Sequence, residues 1–309
     1  MKKVIRGFIF LVLIIFLILT LNYRYKNSEY YRSIYGLFRY ESVPMDLDIV
    51  NFGSSENIMA VDFNIIPERK TFNFALHGQY LTLDERLLNS YKENFSDDTV
   101  VILPASFFTP YYDNELTDTV KGVYYRILDI DQIPDLKIAD LLLYRYFPLL
   151  SSKENVFESF SSLEYEELTF SELDAKVEDE FLLEHAEEYG QTYLNERIKD
   201  ATPNAECDAS YHRILDLCKE NGWKPVLLTV PVHKYYREQF PEDILALFYE
   251  YIDGLLQEYP DAIYLDYSTD GRFYTNNSLY YDSDHLNQDG RTLFTQILYD
   301  DLIKYGLFQ

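Results

Sequence analysis

The alternation of apolar and polar positions divides this chain into short, nearly continuous apolar runs and longer amphipathic stretches. LDIVNF (47–52), FNFAL (72–76), TVVILP (99–104), KPVLLTV (224–230) and AIYLDY (262–267) are rich in β-branched or aromatic residues and bounded by turn formers, which predicts five buried strands. Helical spacing appears in SYHRILDLCKENG (210–222), in YEYIDGLLQEY (249–259) and near the C-terminus. In the last of these, Leu293, Phe294, Ile297, Leu298, Leu302 and Ile303 fall on one apolar face, Asn287 is placed to cap the helix and Gly306 to end it. Strands that are apolar on both faces and alternate with helices predict a parallel sheet covered on both sides, a doubly wound α/β fold.

Two segments depart from this rhythm. Lys2, Lys3 and Arg6 precede GFIFLVLIIFLILTLNY, seventeen residues without a charge, the short end of what spans a bilayer as a helix. No small-x-small cleavage pattern follows it, so residues 1–25 are expected to be a retained single-pass anchor, with a cleaved signal peptide as the alternative. The flanking cations favour a cytoplasmic N-terminus, which puts the body, 26–309, outside the cytoplasm. The second departure is the region from about 111 to 200. Its part from 151 to 200 carries 15 acids against 4 bases and no proline. It is expected to be a mostly helical, acidic insertion lying over or beside the sheet.

Charge then removes one class of partner. The net charge is −25, with 52 acids against 27 bases and no basic cluster, whereas binding to a nucleic acid requires Lys and Arg to neutralise phosphates. The 30 tyrosines and 21 phenylalanines include side chains able to stack on sugar rings, but they are more simply read as core and surface of an aromatic-rich chain. Cys207 and Cys218 would lie about 16 Å apart in one straight helix, too far to bridge.

In an open parallel sheet, ligands bind outside the carboxyl ends of the strands. Gly53-Ser54-Ser55 follows the first predicted strand, His77-Gly78-Gln79 the second, Ser106 the third and Pro231-Val232-His233 the fourth. A serine becomes nucleophilic beside a base whose tautomer is fixed by a third group. Among the five histidines, His285 has Asp282 three residues before it, and an aspartate there can turn back onto Nδ1–H and leave Nε2 to face a serine. The competing reading of YYDSDHLNQDG (280–290) is an acidic turn that caps the final helix. His185 and His212 are read as surface or packing residues. His77, His233, His285 and the aspartates are also weighed as a metal site, but no two have metal-motif spacing, so neither a metal nor a cofactor is expected.

Gly-x-Ser after the first strand, a glycine after the second, and Asp-x-x-His-Leu-Asn before the last helix resemble the SGNH/GDSL hydrolase superfamily. The resemblance covers about 47–110 and 205–309 and omits the insertion. It implies a flavodoxin-like sheet and a triad of Ser55, His285 and Asp282, with Ser54 structural. The oxyanion would be bound by the backbone N–H groups of Ser55 and Gly78. The superfamily's Gly-x-Asn-Asp block is replaced by PASFFTP, which leaves a third oxyanion donor unassigned; Gln79 is a candidate substitute, and Gln79 and His233 are candidate substrate contacts. Gly-Ser-Ser-Glu in place of Gly-Asp-Ser-Leu, together with the anchor, looks like the membrane-tethered branch. That branch includes the D-alanyl transfer protein of teichoic acid operons and proteins of polysaccharide O-acetylation. The implied activity is an acyltransferase or esterase acting on an envelope glycan or teichoic-acid-like polymer, with a membrane acyltransferase as a partner. A non-catalytic binding or assembly protein of the same machinery is the alternative.

Overall fold

A computed structural model describes residues 2–28, 31–32, 34–112, 118–151, 177–198 and 201–308. The chain forms two compact units, one built from residues up to Ser42 together with 118–151, the other from Val43 to 112 together with 177–308.

The first unit contains α1 (Lys2–Lys26), a helix of 25 residues with the length and composition of a membrane anchor or a signal sequence. At about 1.5 Å per residue it is longer than the roughly 30 Å hydrocarbon core of a bilayer. Its apolar side chains are exposed, while Asn22 and Tyr25 near its end are buried. Asn22 Nδ2 donates to the Tyr146 carbonyl at 2.8 Å, and the Arg126 guanidinium of α4 (Asp118–Ile127) lies 3.8 Å from the centre of the Tyr31 ring. These contacts join the residues after α1 to 118–151. The stretch expected as one insertion therefore divides: its first half belongs with the N-terminal segment, its end (177–198) with the sheet unit, and 152–176 lies outside the described residues.

The second unit is a five-stranded parallel sheet of order β2-β1-β3-β4-β5, comprising β1 (Leu47–Asn51), β2 (Thr71–Asn73), β3 (Phe95–Pro104), β4 (Lys224–Thr229) and β5 (Ile263–Asp266). The register pairs Val50 with Phe72 and Val101, Ile102 with Val226, and Leu228 with Leu265. Because side chains alternate across a sheet, Ile49, Ile102, Val226 and Leu228 share one face. They form a core with Phe294, Leu298 and Leu302 of α8 (Gln288–Lys304). The opposite positions Val50, Val101, Leu103 and Leu227 are equally buried; α6 (Ala205–Asn221) packs on β3 and β4 and on α3 (Leu81–Tyr91), and α7 (Glu242–Glu258) lies against β5.

The cap and stop signals act as their chemistry requires. Asn287 Oδ1 accepts from the Gly290 N–H at 2.9 Å, and Gly306 has φ +72° just past α8. The face of α8 is rotated from the expected one. Leu293 and Ile303 are exposed, and Arg291, Thr295 and Tyr299 take the buried positions because Arg291 and Thr295 bond to the segment after β1. Both cysteines lie in α6 and are buried, with no disulfide between them.

Candidate active site

The order 2-1-3-4-5 places a topological switch between β1 and β3, where an open sheet leaves a crevice. β1 runs into a turn at Gly53, whose φ of +123° and approach to Asn57 demand glycine; an added Cβ would lie 2.5 Å from the Asn57 side chain. The Gly53 N–H donates to Asp84 Oδ1 of α3 at 2.9 Å, and Gln79 Nε2 donates to the same oxygen. Burial pushes the Asp84 carboxyl up to about 8, so a neutral acid braces the turn.

Helix α2 (Ser55–Ala60) begins there, with Ser54 as its extended N-cap. Ser54 is buried and Ser55 half-buried, and neither hydroxyl has a hydrogen-bond partner among the described residues. Glu56 follows, 4% exposed; Ser106 Oγ, beyond the end of β3, donates to its Oε2, and the Tyr236 hydroxyl lies 3.4 Å from Oε1. Burial raises the Glu56 carboxyl above its ordinary value. The Glu56–Ser106 bond thus spans the switch between β1 and β3. A shallow depression beside it, with a cavity volume of only about 10 Å³, is lined by Ser54, Gln79, Tyr80, Phe108, Thr109 and Tyr112.

The loop before α8 supplies the complementary chemistry. An antiparallel bridge between Tyr280 and Leu286 closes a tight turn. Inside it, Asp282 Oδ1 accepts from the backbone N–H groups of Asp284 at 3.1 Å and His285 at 2.9 Å. Both oxygens of Asp282 lie 2.9 Å from His285 Nδ1, and His285 Nε2 is buried without a partner. Burial works against the Asp282 carboxylate, but the His285 charge and hydrogen bond outweigh it and hold the carboxyl down at about 2. Burial likewise opposes the His285 cation, and the Asp282 and Asp284 charges overcome it and raise the imidazole above its usual value. The loop therefore stabilises the imidazolium, the state a base reaches after taking a proton from a serine. Glu56 and His285 are close enough for their charges to act on each other.

Asp282 and His285 are joined as the sequence suggests, and Ser55 stands at the start of α2 with no bond to His285. Gly78 is exposed at φ +68° after β2. Gln79 has its amide nitrogen committed to the Phe74 carbonyl and Asp84, while its side chain still borders the depression. His233 is fully buried: Nε2 pairs with Asn277 Oδ1 at 3.2 Å, Nδ1 faces the Tyr235 N–H, and its own N–H holds the Ser283 carbonyl at 2.9 Å. It braces the Asp282–His285 loop. His77 is exposed, and His212 packs against Tyr259.

Three residues at the site escape the sequence reading. Glu56 sits beside Ser55 but is tied to the site by Ser106 and Tyr236, far away in the chain. Asp284 is buried at 1% exposure, and burial pushes its carboxyl well above the ordinary range. His185, on α5 (Asp179–Thr192), reaches the loop with Nδ1 2.8 Å from Ser283 Oγ and Nε2 3.4 Å from Asp282 Oδ2. The signal for His185 lies three residues back: Leu182 is fully buried, and i+3 shares its helix face. No protein-family model matches this chain, and no curated protein matches it.

Proposed function

We propose that this protein is a membrane-tethered, extracytoplasmic serine enzyme that moves an acyl group from an ester or thioester to a hydroxyl of an envelope glycan or teichoic-acid-like polymer, or to water. The observation that carries this reading is the Asp282–His285 pair: a carboxylate on Nδ1 and a bare, buried Nε2, in a loop whose charge reaches the first turn of α2. A base with its tautomer set and its far nitrogen unspent is the arrangement that activates a serine. The five-strand order and the resemblance of Gly53-Ser54-Ser55 and Asp282-x-x-His285 to SGNH/GDSL hydrolases support the same assignment.

In this mechanism Ser55 Oγ attacks the acyl carbonyl while His285 Nε2 takes the hydroxyl proton. The carbonyl π electrons move to oxygen, where the backbone N–H groups of Ser55 and Gly78 stabilise the oxyanion. Collapse of the intermediate expels the donor alcohol or thiol, which leaves with the proton from the imidazolium. An acceptor hydroxyl then enters, gives its proton to Nε2 and receives the acyl group from Ser55. Tyr80, Phe108 and Tyr112 beside Ser54 are aromatic side chains of the kind that stack on sugar rings, and α1 supports placement at a membrane, where the polymer and a membrane acyltransferase donor would be found.

The test is labelling of the full chain in detergent with a fluorophosphonate or an activated acetyl ester, followed by peptide mass mapping. The expected adduct is on Ser55, lost in Ser55→Ala. A folded wild-type protein with no adduct would overturn the enzymatic reading and leave a glycan-binding protein in its place.

A further inference from the structure

A second group of side chains meets beside the histidine–aspartate pair, and ordinary hydrogen bonding does not account for it. His185, Asp282 and Asp284 each offer one ligand-type atom, all within 4.8 Å of one another. His185 Nε2 lies 3.4 Å from Asp282 Oδ2, and its Nδ1 lies 3.6 Å from Asp284 Oδ1, both beyond the usual range of an N–H···O bond. Asp284 is the more telling member. It is 1% exposed, and among the described residues neither of its carboxylate oxygens has a hydrogen-bond partner; His285 Nδ1 stands 3.7 Å from Oδ1, beyond hydrogen-bond range. A buried acceptor left without a donor is destabilising unless a positive charge completes it.

The imidazole orientation adds an independent argument. Ser283 Oγ sits 2.8 Å from His185 Nδ1. With Nδ1–H donating to that hydroxyl, Nε2 keeps its lone pair and turns it toward Asp282 Oδ2, so two electron-rich atoms face each other. A hydrogen bond from the outer nitrogen of a metal-binding histidine is the usual way in which its tautomer and direction are fixed. The ring is held further by Tyr189, stacked on it at 4.2 Å between centroids.

We infer that His185, Asp282 and Asp284 form a binding site for a divalent first-row transition metal of the zinc class, assembled between α5 and the 282–285 loop. One imidazole and two carboxylates match zinc-type chemistry better than the all-oxygen shells of magnesium or calcium. Ligand atoms at about 2.0–2.1 Å from a tetrahedral ion stand about 3.3 Å apart. The 3.4 Å separation of His185 Nε2 from Asp282 Oδ2 is therefore already close to that of a loaded site. Three protein ligands leave a fourth position open. Asp282 belongs to both constellations. A cation on its Oδ2 competes with His285 Nδ1, which lies 2.9 Å from both Asp282 oxygens, so metal binding and serine activation oppose each other; this last consequence rests on the proposed serine chemistry, while the site itself does not.

The experiment uses tag-free full-length protein in detergent, stripped with a chelator and titrated with zinc chloride by calorimetry. The expected result is one ion per chain, with affinity at least tenfold weaker in His185→Ala and in Asp284→Asn and unchanged in Ser55→Ala. Equal zinc affinity in the wild type and both variants would place the ion on the acidic surface and overturn the inference, as would no binding. Cobalt(II) added to the wild type gives a readout independent of how the variants fold: intense visible bands of a four-coordinate ion support the site, and only the pale spectrum of the hydrated ion overturns it. Slower labelling of Ser55 in the presence of zinc supports the opposition. Zinc binding with unchanged labelling upholds the cation site and counts against the serine chemistry.

Discussion

Between Gly53 and Glu56 the backbone is braced by Asp84, by the close approach of Asn57 and by the Glu56–Ser106 bond, yet the two serine hydroxyls have no partner among the described residues. Between Asp282 and His285 the side chains of those two residues bond each other, and the loop backbone is held by Asp282, by the Tyr281–His285 bond and by the His233 N–H on the Ser283 carbonyl. The difference teaches how the labour is divided. The turn after β1 is a rigid mount for a group whose bonding is left open, and the loop before α8 holds an imidazole whose orientation is already settled. Among the described residues no hydrogen bond joins Ser55 to His285, whose Nε2 has no partner. On the proposed chemistry, the hydrogen bond that joins them forms when an acyl donor is present.

Breaking the base should have the largest effect. Asp282→Asn or His285→Ala is expected to slow labelling of Ser55 by about 10³- to 10⁴-fold, measured as the rate of adduct formation by mass spectrometry. Equal rates in wild type and variant would show that the two loops do not cooperate. Breaking the mount comes next. Gly53→Ala places a Cβ against Asn57 at a φ of +123°, with an expected loss of about 3 kcal/mol in stability. Chemical denaturation should show the loss, and a wild-type midpoint would mean the turn yields easily. Asn287→Ala removes the cap bond to Gly290 together with two bonds to the Ser278 and Tyr280 carbonyls, which hold the base loop against α8. About 2 kcal/mol should be lost.

The smallest effect, counted per unit of pH, sharpens the comparison. Asp84 keeps its proton in the folded protein to about pH 8, whereas in the unfolded chain it ionises near 3.8. The unfolded state therefore binds fewer protons between those values, and this residue's contribution to stability declines as pH rises across them. Asp84→Asn keeps the acceptor for Gly53 and removes the titration. Thermal melts should show the variant gaining about 2–4 °C on the wild type for each pH unit between pH 5 and pH 8. A constant difference would mean that Asp84 is ionised in place.

The strands were legible in the sequence because a doubly covered parallel sheet writes itself as short apolar runs. Residues 47–51, 71–73, 95–104, 224–229 and 263–266 fall on or beside all five expected segments. The Asp282–His285 pair was legible for a different reason: three residues separate its members, so a single turn suffices to join them. His185 was not. Its role depends on α5 docking near a loop about a hundred positions later, and no local pattern separates a histidine facing solvent from one facing Asp282. Glu56 was hidden in the same way, because its partners Ser106 and Tyr236 arrive on other elements. The acidic stretch misled in its unity: its composition is uniform, but its contacts are not. Arg126 and the Tyr146 carbonyl hold one part to the N-terminal segment, while Asp179, bonded by Asn277, and His185 hold another to the sheet unit.

The sheet order has a consequence for how such a protein comes into being. β1 lies inside the sheet, with Ser55 at its exit, while Asp282 and His285 sit just before the last helix. A ribosome delivers Ser55 some 230 residues ahead of His285. On the proposed chemistry, the growing chain carries a serine with nothing to activate it until that loop emerges, and any product clipped ahead of Asp282 stays in that condition. Recovery of serine labelling during refolding would then serve as a clock for the docking of the 282–285 loop.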